Sequence, residues 1–247
     1  MRFDLITLFP ELFAPFLAAG VTRRAYEAKQ VDVRLWQLRD YAEGNYRRVD
    51  DRPFGGGPGM VMLAEPLARC LAAVKADRGD AAPVLLFSPV GERLDHAGVE
   101  RWSAGAGAIL LCGRYEGIDQ RFIDTHVDLQ LSLGDFVLSG GEIAAMALLD
   151  AVARLQPGVL NDAGSHQEDS FNPALDGLLD CPHYTRPEEW NGLRVPQELL
   201  SGHHARIEAW RRRQRLALTA KLRPDLLAAA RAAGRLSRAD EDFLGTL

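Results

Sequence analysis

Three groups of residues in this chain have the types and spacing to do chemistry. The first lies between Ser165 and Ser170 and holds His166, Glu168 and Asp169 as well. Histidine titrates near neutrality, and a carboxylate within hydrogen-bond reach of an acidic N–H can take its proton. Spacing does not choose among His166, Glu168 and Asp169, and Asp135 is a further rival. The second group is a pair of glycine-bearing loops. Gly113-Arg114-Tyr115-Glu116-Gly117 follows the apolar run 108–112, and Gly134-Asp135-Phe136 with Gly140-Gly141 follows the alternating run 127–133. Glycine lets backbone N–H and C=O groups approach a ligand closely, and such loops suit a flat purine. There is no G-x-x-x-x-G-K-[ST] and no G-x-G-x-x-G after the first strand, which excludes a phosphate loop and the usual dinucleotide fingerprint. The third group is basic. Arg206, Arg211, Arg212, Arg213, Arg215, Lys221 and Arg223 face a single acid, Glu208. The net charge of −5 disfavours a nucleic-acid partner, but a local basic stripe outweighs the global sum.

The elements that must position these groups follow from periodicity. Arg2 to Phe9 and Val31 to Leu38 read as strands, with a helix from Glu11 to Ala28 between them, kinked near Pro15. Residues 39–60 form a long polar stretch, of the length that usually carries function. Glu65 to Asp77 reads as a helix, Val84 to Phe87 as a strand closed by Ser88-Pro89, and Asp95 to Ser103 as a short helix. The two strands bearing the glycine loops follow, with a helix over 118–125 between them. Glu142 to Leu155 is a helix apolar on most sides, whose polar members Glu142, Asp150 and Arg154 share about a third of its circumference. Asp150 and Arg154 are spaced for an i,i+4 ion pair.

Strands alternating with helices over 2–155 imply an α/β domain with a mostly parallel sheet covered on both faces. The Gly-, Asp- and Ser-rich stretch after it reads as a linker. From Thr185 no strand pattern is evident, and Thr185-Arg186-Pro187-Glu188 resembles a capping-box helix start. The expected layout is an α/β domain over 1–160, a flexible linker over 161–177 and a small all-α domain over 178–247. No apolar run reaches the ~18 residues of a membrane span, and the N-terminus lacks a signal-peptide layout. Cys70, Cys112 and Cys181 are odd in number and far apart. That argues against a disulfide framework or zinc site and for a reducing, cytoplasmic setting.

Longer motifs carry a resemblance. GGGPGMVM at 55–62, LCGRYEGID at 111–119, SLGDFVLSGGE at 132–142, DAVARLQPGVL at 150–160, EDSF at 168–171 and LLDCPHYTRP at 178–187 are similar to those of the bacterial tRNA (guanine-N1)-methyltransferases. The likeness runs from the first strand to the SGHH…W stretch at 201–210. It implies a SPOUT-class α/β fold with a trefoil knot, and transfer of a methyl group from S-adenosylmethionine to N1 of the guanosine immediately 3′ of the anticodon. It also implies a homodimer with a shared active site.

Matching positions then give the expected roles. The cofactor pocket is Phe87, Ser88, Pro89, Gly113, Tyr115, Glu116, Gly117, Leu133, Gly134, Asp135, Phe136, Val137, Leu138, Gly140 and Gly141. Members of the family commonly carry Ile and Tyr at the positions of Leu133 and Phe136, so a hydroxyl is missing at Phe136. Asp169 is the expected general base and Arg154 the residue organising the target nucleotide. Asp50, Pro58, Gly59, Arg114, Ser165 and Ser170 are expected to touch substrate. Arg206, Arg211, Arg212 and Arg215 are expected to hold phosphates of the anticodon stem-loop, giving salt-dependent affinity without sequence readout. The family's use of Mg²⁺ leaves no recognisable ligand set here. The competing class is a non-catalytic RNA-binding or assembly protein, which accounts for the basic helix but leaves the glycine loops unexplained.

Overall fold

The computed structural model describes residues 1–161 and 166–247 and divides into two units, Met1–Asn161 and Asp162–Leu247. The first unit runs β1 (Arg2–Thr7), α1 (Phe13–Ala18), α2 (Arg23–Glu27), β2 (Asp32–Gln37), β3 (Asp50–Asp51), β4 (Val61–Met62), α3 (Ala64–Arg78), β5 (Val84–Arg93), α4 (His96–Ala104), β6 (Gly107–Leu111), α5 (Gln120–His126), β7 (Leu129–Ser132) and α6 (Glu142–Ala153). Five strands form one sheet in the order β2-β1-β6-β5-β7, and every pairing is parallel.

Both faces of the sheet are dry, which is why β1 and β6 read as near-continuous apolar runs rather than alternating ones. Phe3 and Leu5 pack with α1, α2, α4 and α6, through Phe13, Ala25, Val99 and Leu148 among others. Ile6 and Ile109 face the other way, against Leu67, Leu71 and Val74 of α3 and Phe122 of α5. Asp4 also points to that second face, fully buried, and is held by Arg2, Arg78 and the Trp36 indole. No helix among the described residues is long and apolar enough to cross a membrane.

Several elements differ from expectation. The first helix breaks at Gly20, whose φ of 71° a helix cannot contain, and not at Pro15, which sits in the first turn of α1 where proline is tolerated. The polar stretch 39–60 is not structureless: β3, within it, pairs antiparallel with β4, and the hairpin encloses residues 52–60. The strand at Val84 runs on to Arg93. Phe87 and Glu92 both register on Leu131, so residues 88–91 stand out of the ladder.

The second unit holds β8 (Glu189–Trp190), β9 (Leu193–Arg194), α7 (Gln197–Leu200), α8 (His204–Leu222), α9 (Pro224–Ala232) and α10 (Arg238–Leu244). Its core is Leu178, Leu216, Leu227 and Ala230. The all-α expectation therefore needs a small hairpin added. Thr185 starts no helix, because Asn191 and Gly192 have φ of 52° and 78° and turn the chain into β9. Asn-Gly is the strongest short-range hairpin signal. Residues 166–177, expected to be part of a flexible linker, belong to this unit. Buried Asn172 donates to the His166 carbonyl at 3.0 Å and accepts from Ala174 N–H at 2.9 Å.

Candidate active site

At the carboxyl ends of β5, β6 and β7, where ligands of open α/β sheets bind, the first unit encloses a cavity of about 440 Å³. That size is ordinary for a small-molecule site. Its walls come from three segments, 86–90, 113–118 and 130–141, with Gln120, Ile123 and Ala144 beside them. Every expected cofactor position lines it except Asp135. Asp135 is exposed in a turn closed by Phe136 N–H donating to the Gly134 carbonyl at 2.9 Å, outside the cavity lining. Sequence reasoning missed Leu86, Val90, Ile118, Gln130, Leu131, Ser132 and Ser139, together with Gln120, Ile123 and Ala144. Ser139 and Ser132 were recoverable by contiguity with the glycine loops, whereas Gln120 and Ile123 carried no signal.

The floor of the cavity depends on glycine. A Cβ at Gly141 would stand 2.8 Å from the Cα of Cys112 and 3.1 Å from the nitrogen of Gly113. Gly141 N–H donates to the Gly113 carbonyl at 2.9 Å, which presses the two loops together. A Cβ at Gly140 would run into the Arg114 side chain. Backbone groups thus come close to the cavity between the apolar walls of Leu86, Phe87, Leu131 and Leu138. The arrangement fits a flat purine between apolar walls, met by backbone polar groups. The Cys112 thiol is pushed well above its ordinary range, first by burial and then by Glu142.

The β3–β4 hairpin is laced to the first glycine loop. Glu116 N–H donates to the Met60 carbonyl and Met62 N–H to the Gly117 carbonyl, both at 2.9 Å. Gly59 has a φ of 79° and lies against the Glu116 side chain, a backbone conformation that favours glycine. Pro58 and Gly59, expected at the target base, therefore stand next to the cofactor loop. Tyr115 adopts a φ of 61°, unusual for a non-glycine residue. Its hydroxyl is pushed up by burial and by Asp50, with Arg39 opposing, so Asp50 reaches the mouth of the site through Tyr115.

Arg114 is held on several sides. Its Nε faces the Glu142 carboxylate at 2.9 Å, its Nη1 donates to the Ser139 carbonyl at 3.2 Å, and its guanidinium lies 4.6 Å from the centre of the Phe9 ring. Arg154 follows α6, with its N–H on the Asp150 carbonyl at 3.1 Å, while the Asp150 carboxylate accepts from the Thr22 hydroxyl at 3.0 Å.

In the second unit, Asp169 is half-buried and its carbonyl accepts from Asn172 N–H at 3.2 Å. The Ser170 hydroxyl accepts from Asp180 N–H at 2.9 Å. Ser165 lies outside the described residues. Of the four arginines expected at phosphates, Arg206 is exposed and Arg211 pairs with Glu208 at 2.8 Å on the helix surface. The other two are engaged within the unit. Arg212 is committed to Asp240 at 3.0 Å and Asp176 at 2.7 Å, and Arg215 is buried beside Asp180 at 3.5 Å. Residues 212, 215, 216 and 219 share one stripe of α8, and that stripe faces the core. No group of three or more His, Cys, Asp and Glu is placed to hold a metal ion among the described residues.

The chain matches the family described as tRNA (Guanine-1)-methyltransferase TrmD over residues 1–229. Among its relatives, a tRNA (guanine-N(1)-)-methyltransferase of Paracidovorax citrulli is 77% identical, covering 100% of this chain and 98% of the relative. The proteins of that name from Polaromonas sp. and Bordetella pertussis are 72% and 58% identical, again over 100% of this chain and over 97% and 98% of their own lengths. With the cavity, its glycine floor and the laced hairpin built from the family's own motifs, the chain belongs to the tRNA (guanine-1)-methyltransferase family.

Proposed function

We propose that this protein transfers the methyl group of S-adenosylmethionine to N1 of guanosine in tRNA, at the position immediately 3′ of the anticodon. The observation that carries the reading is the glycine-floored cavity at the carboxyl ends of β5, β6 and β7, lined by the family's cofactor positions. S-adenosylmethionine supplies an electrophilic methyl carbon on a sulfonium sulfur. The task left to the protein is chiefly positioning. Backbone groups of 113–117 and 133–141 grip the cofactor, and Pro58 and Gly59 approach the target base from the laced hairpin.

Guanine N1 carries a proton that must leave as the methyl arrives. Asp169 is the general base in this reading. Guanine presents N1–H and N2–H₂ side by side, and one carboxylate accepts from both. Adenine lacks that pair, so the same residue contributes to selectivity. Arg154 organises the target nucleotide. The basic face of α8, represented by Arg206, holds tRNA phosphates. Two copies share each site, a reading supported by the apolar side chains left exposed around the cavity, Phe136, Val137 and Ile143, since an exposed apolar patch marks an interaction surface. A tRNA substrate makes the cytoplasm the place of work.

The test is Asp169→Asn. Methyl transfer falls by about 10² to 10⁴-fold, the range for loss of a general base, while calorimetric titration with S-adenosylmethionine gives the wild-type dissociation constant. Full activity in that variant would remove Asp169 from the role. Failure of the wild-type protein to bind S-adenosylmethionine would favour the RNA-binding alternative.

A further inference from the structure

Glu142 is a fully buried carboxylate immediately after the glycine pair of the cavity wall. A buried charge is costly unless it is paired and hydrogen-bonded, and three features compensate this one. It stands in the first turn of α6, where the helix dipole favours an anion. One oxygen accepts from the Thr7 hydroxyl, at the end of β1, at 2.8 Å. The other faces Arg114 Nε at 2.9 Å. Neither atom of that last pair completes a well-angled hydrogen bond, to each other or to anything else. The ion pair is therefore held by charge and by the walls around it.

Arg114 carries the constraint onward. It belongs to the first glycine loop and reaches the second through the Ser139 carbonyl, while its backbone bridges Gly140. We propose that Glu142 is a positioning residue for the cofactor site. It anchors Arg114 as a strut that fixes the spacing between the 113–117 and 133–141 loops. Without the carboxylate, the guanidinium loses its counter-charge at a mostly buried place, turns toward solvent and releases Ser139. The backbone groups of Gly113, Ser139 and Gly140 then no longer converge on one ligand. This inference rests on the reading of the cavity as the S-adenosylmethionine site.

The test titrates the full-length protein with S-adenosylmethionine by calorimetry, as wild type, Glu142→Gln, Arg114→Gln and the double variant. Glutamine at 142 keeps the shape and the acceptor for Thr7 but removes the charge. Each single variant is expected to weaken binding about tenfold, and the double to be no weaker than the worse single, because groups acting through one interaction are not additive. A merely structural role would lower the folded fraction, and so the apparent stoichiometry, at an unchanged dissociation constant. That result in the singles, or losses that multiply in the double, overturns the proposal. If Glu142→Gln does not fold, Arg114→Gln decides alone. A wild-type protein that binds no S-adenosylmethionine would refute the reading of the cavity itself, and the strut with it.

Discussion

A single methyl group at position 141 would press on the Cα of Cys112 at 2.8 Å and on the Gly113 nitrogen at 3.1 Å. Both contacts are backbone, so neither can swing aside. Gly141→Ala is expected to cost ~1–3 kcal/mol, the usual range for overpacking, and to weaken S-adenosylmethionine binding as the two loops part. A thermal melt and a titration on the same sample check both, and an unchanged affinity would mean that the close approach of the loops is not needed by the ligand. At this scale the sequence was informative where a residue type had one physical reason to be there. Gly140 and Gly141 are such positions. Asp135 was not, because polarity does not tell which side of a turn faces the pocket. Arg212 and Arg215 misled for a related reason. Their charge read as a solvated, phosphate-binding surface, but Asp176, Asp180 and Asp240 come from distant parts of the chain and draw them inward.

That inward stripe separates two kinds of arginine on one element. Arg212→Ala is expected to destabilise the second unit, since it leaves Asp176 and Asp240 without their partner. Breaking a partly buried pair is costly even where making it gains little. Arg206→Ala should leave the melting temperature unchanged while reducing by about one the slope of log affinity for tRNA against log salt. Equal effects of the two variants on melting would contradict the division of the helix. Asp240 gives the same element an acid dependence. The Arg212 hydrogen bonds first, then those from Ser237, hold its carboxyl at about 2, against an ordinary 3.8. A folded value below the unfolded one stabilises above the unfolded value and is lost as pH falls through the folded one. The contribution is therefore complete above about pH 4 and disappears toward pH 2. Circular dichroism of wild type against Arg212→Ala over that window should show the two stability curves converging as the acid limit is approached.

Elements were legible where their pattern was long. α3, α4 and α6 fell within a residue or two of expectation. The β8–β9 hairpin and α10 did not. Asn191-Gly192 was overshadowed by the apparent capping box at Thr185, while a capping box does form at Ser237 with Asp240, where Ser237 is the N-cap of α10.

For the whole molecule, alternation of strands and helices pointed to a parallel α/β domain, but it left the β8–β9 hairpin of the second unit out of sight. Strand order was not legible, because β6 enters between β1 and β5 through pairings that only the folded chain displays. The trefoil knot that the family implies lies further still from any pattern of periodicity, since true knots are nearly absent among folds. The net charge concealed the polynucleotide partner, which only the distribution of arginines hinted at.

In the proposed reaction, one cavity and the Asp169 carboxylate direct a methyl group to a single atom of tRNA. Incubation with S-adenosylmethionine and two unmodified tRNA transcripts, identical except for guanosine or adenosine immediately 3′ of the anticodon, tests this. The methylated position is read by mass spectrometry of nuclease fragments. The account predicts methylation at N1 of that guanosine and none of the adenosine transcript. Methyl transfer to another position, or none to the guanosine transcript, would contradict it.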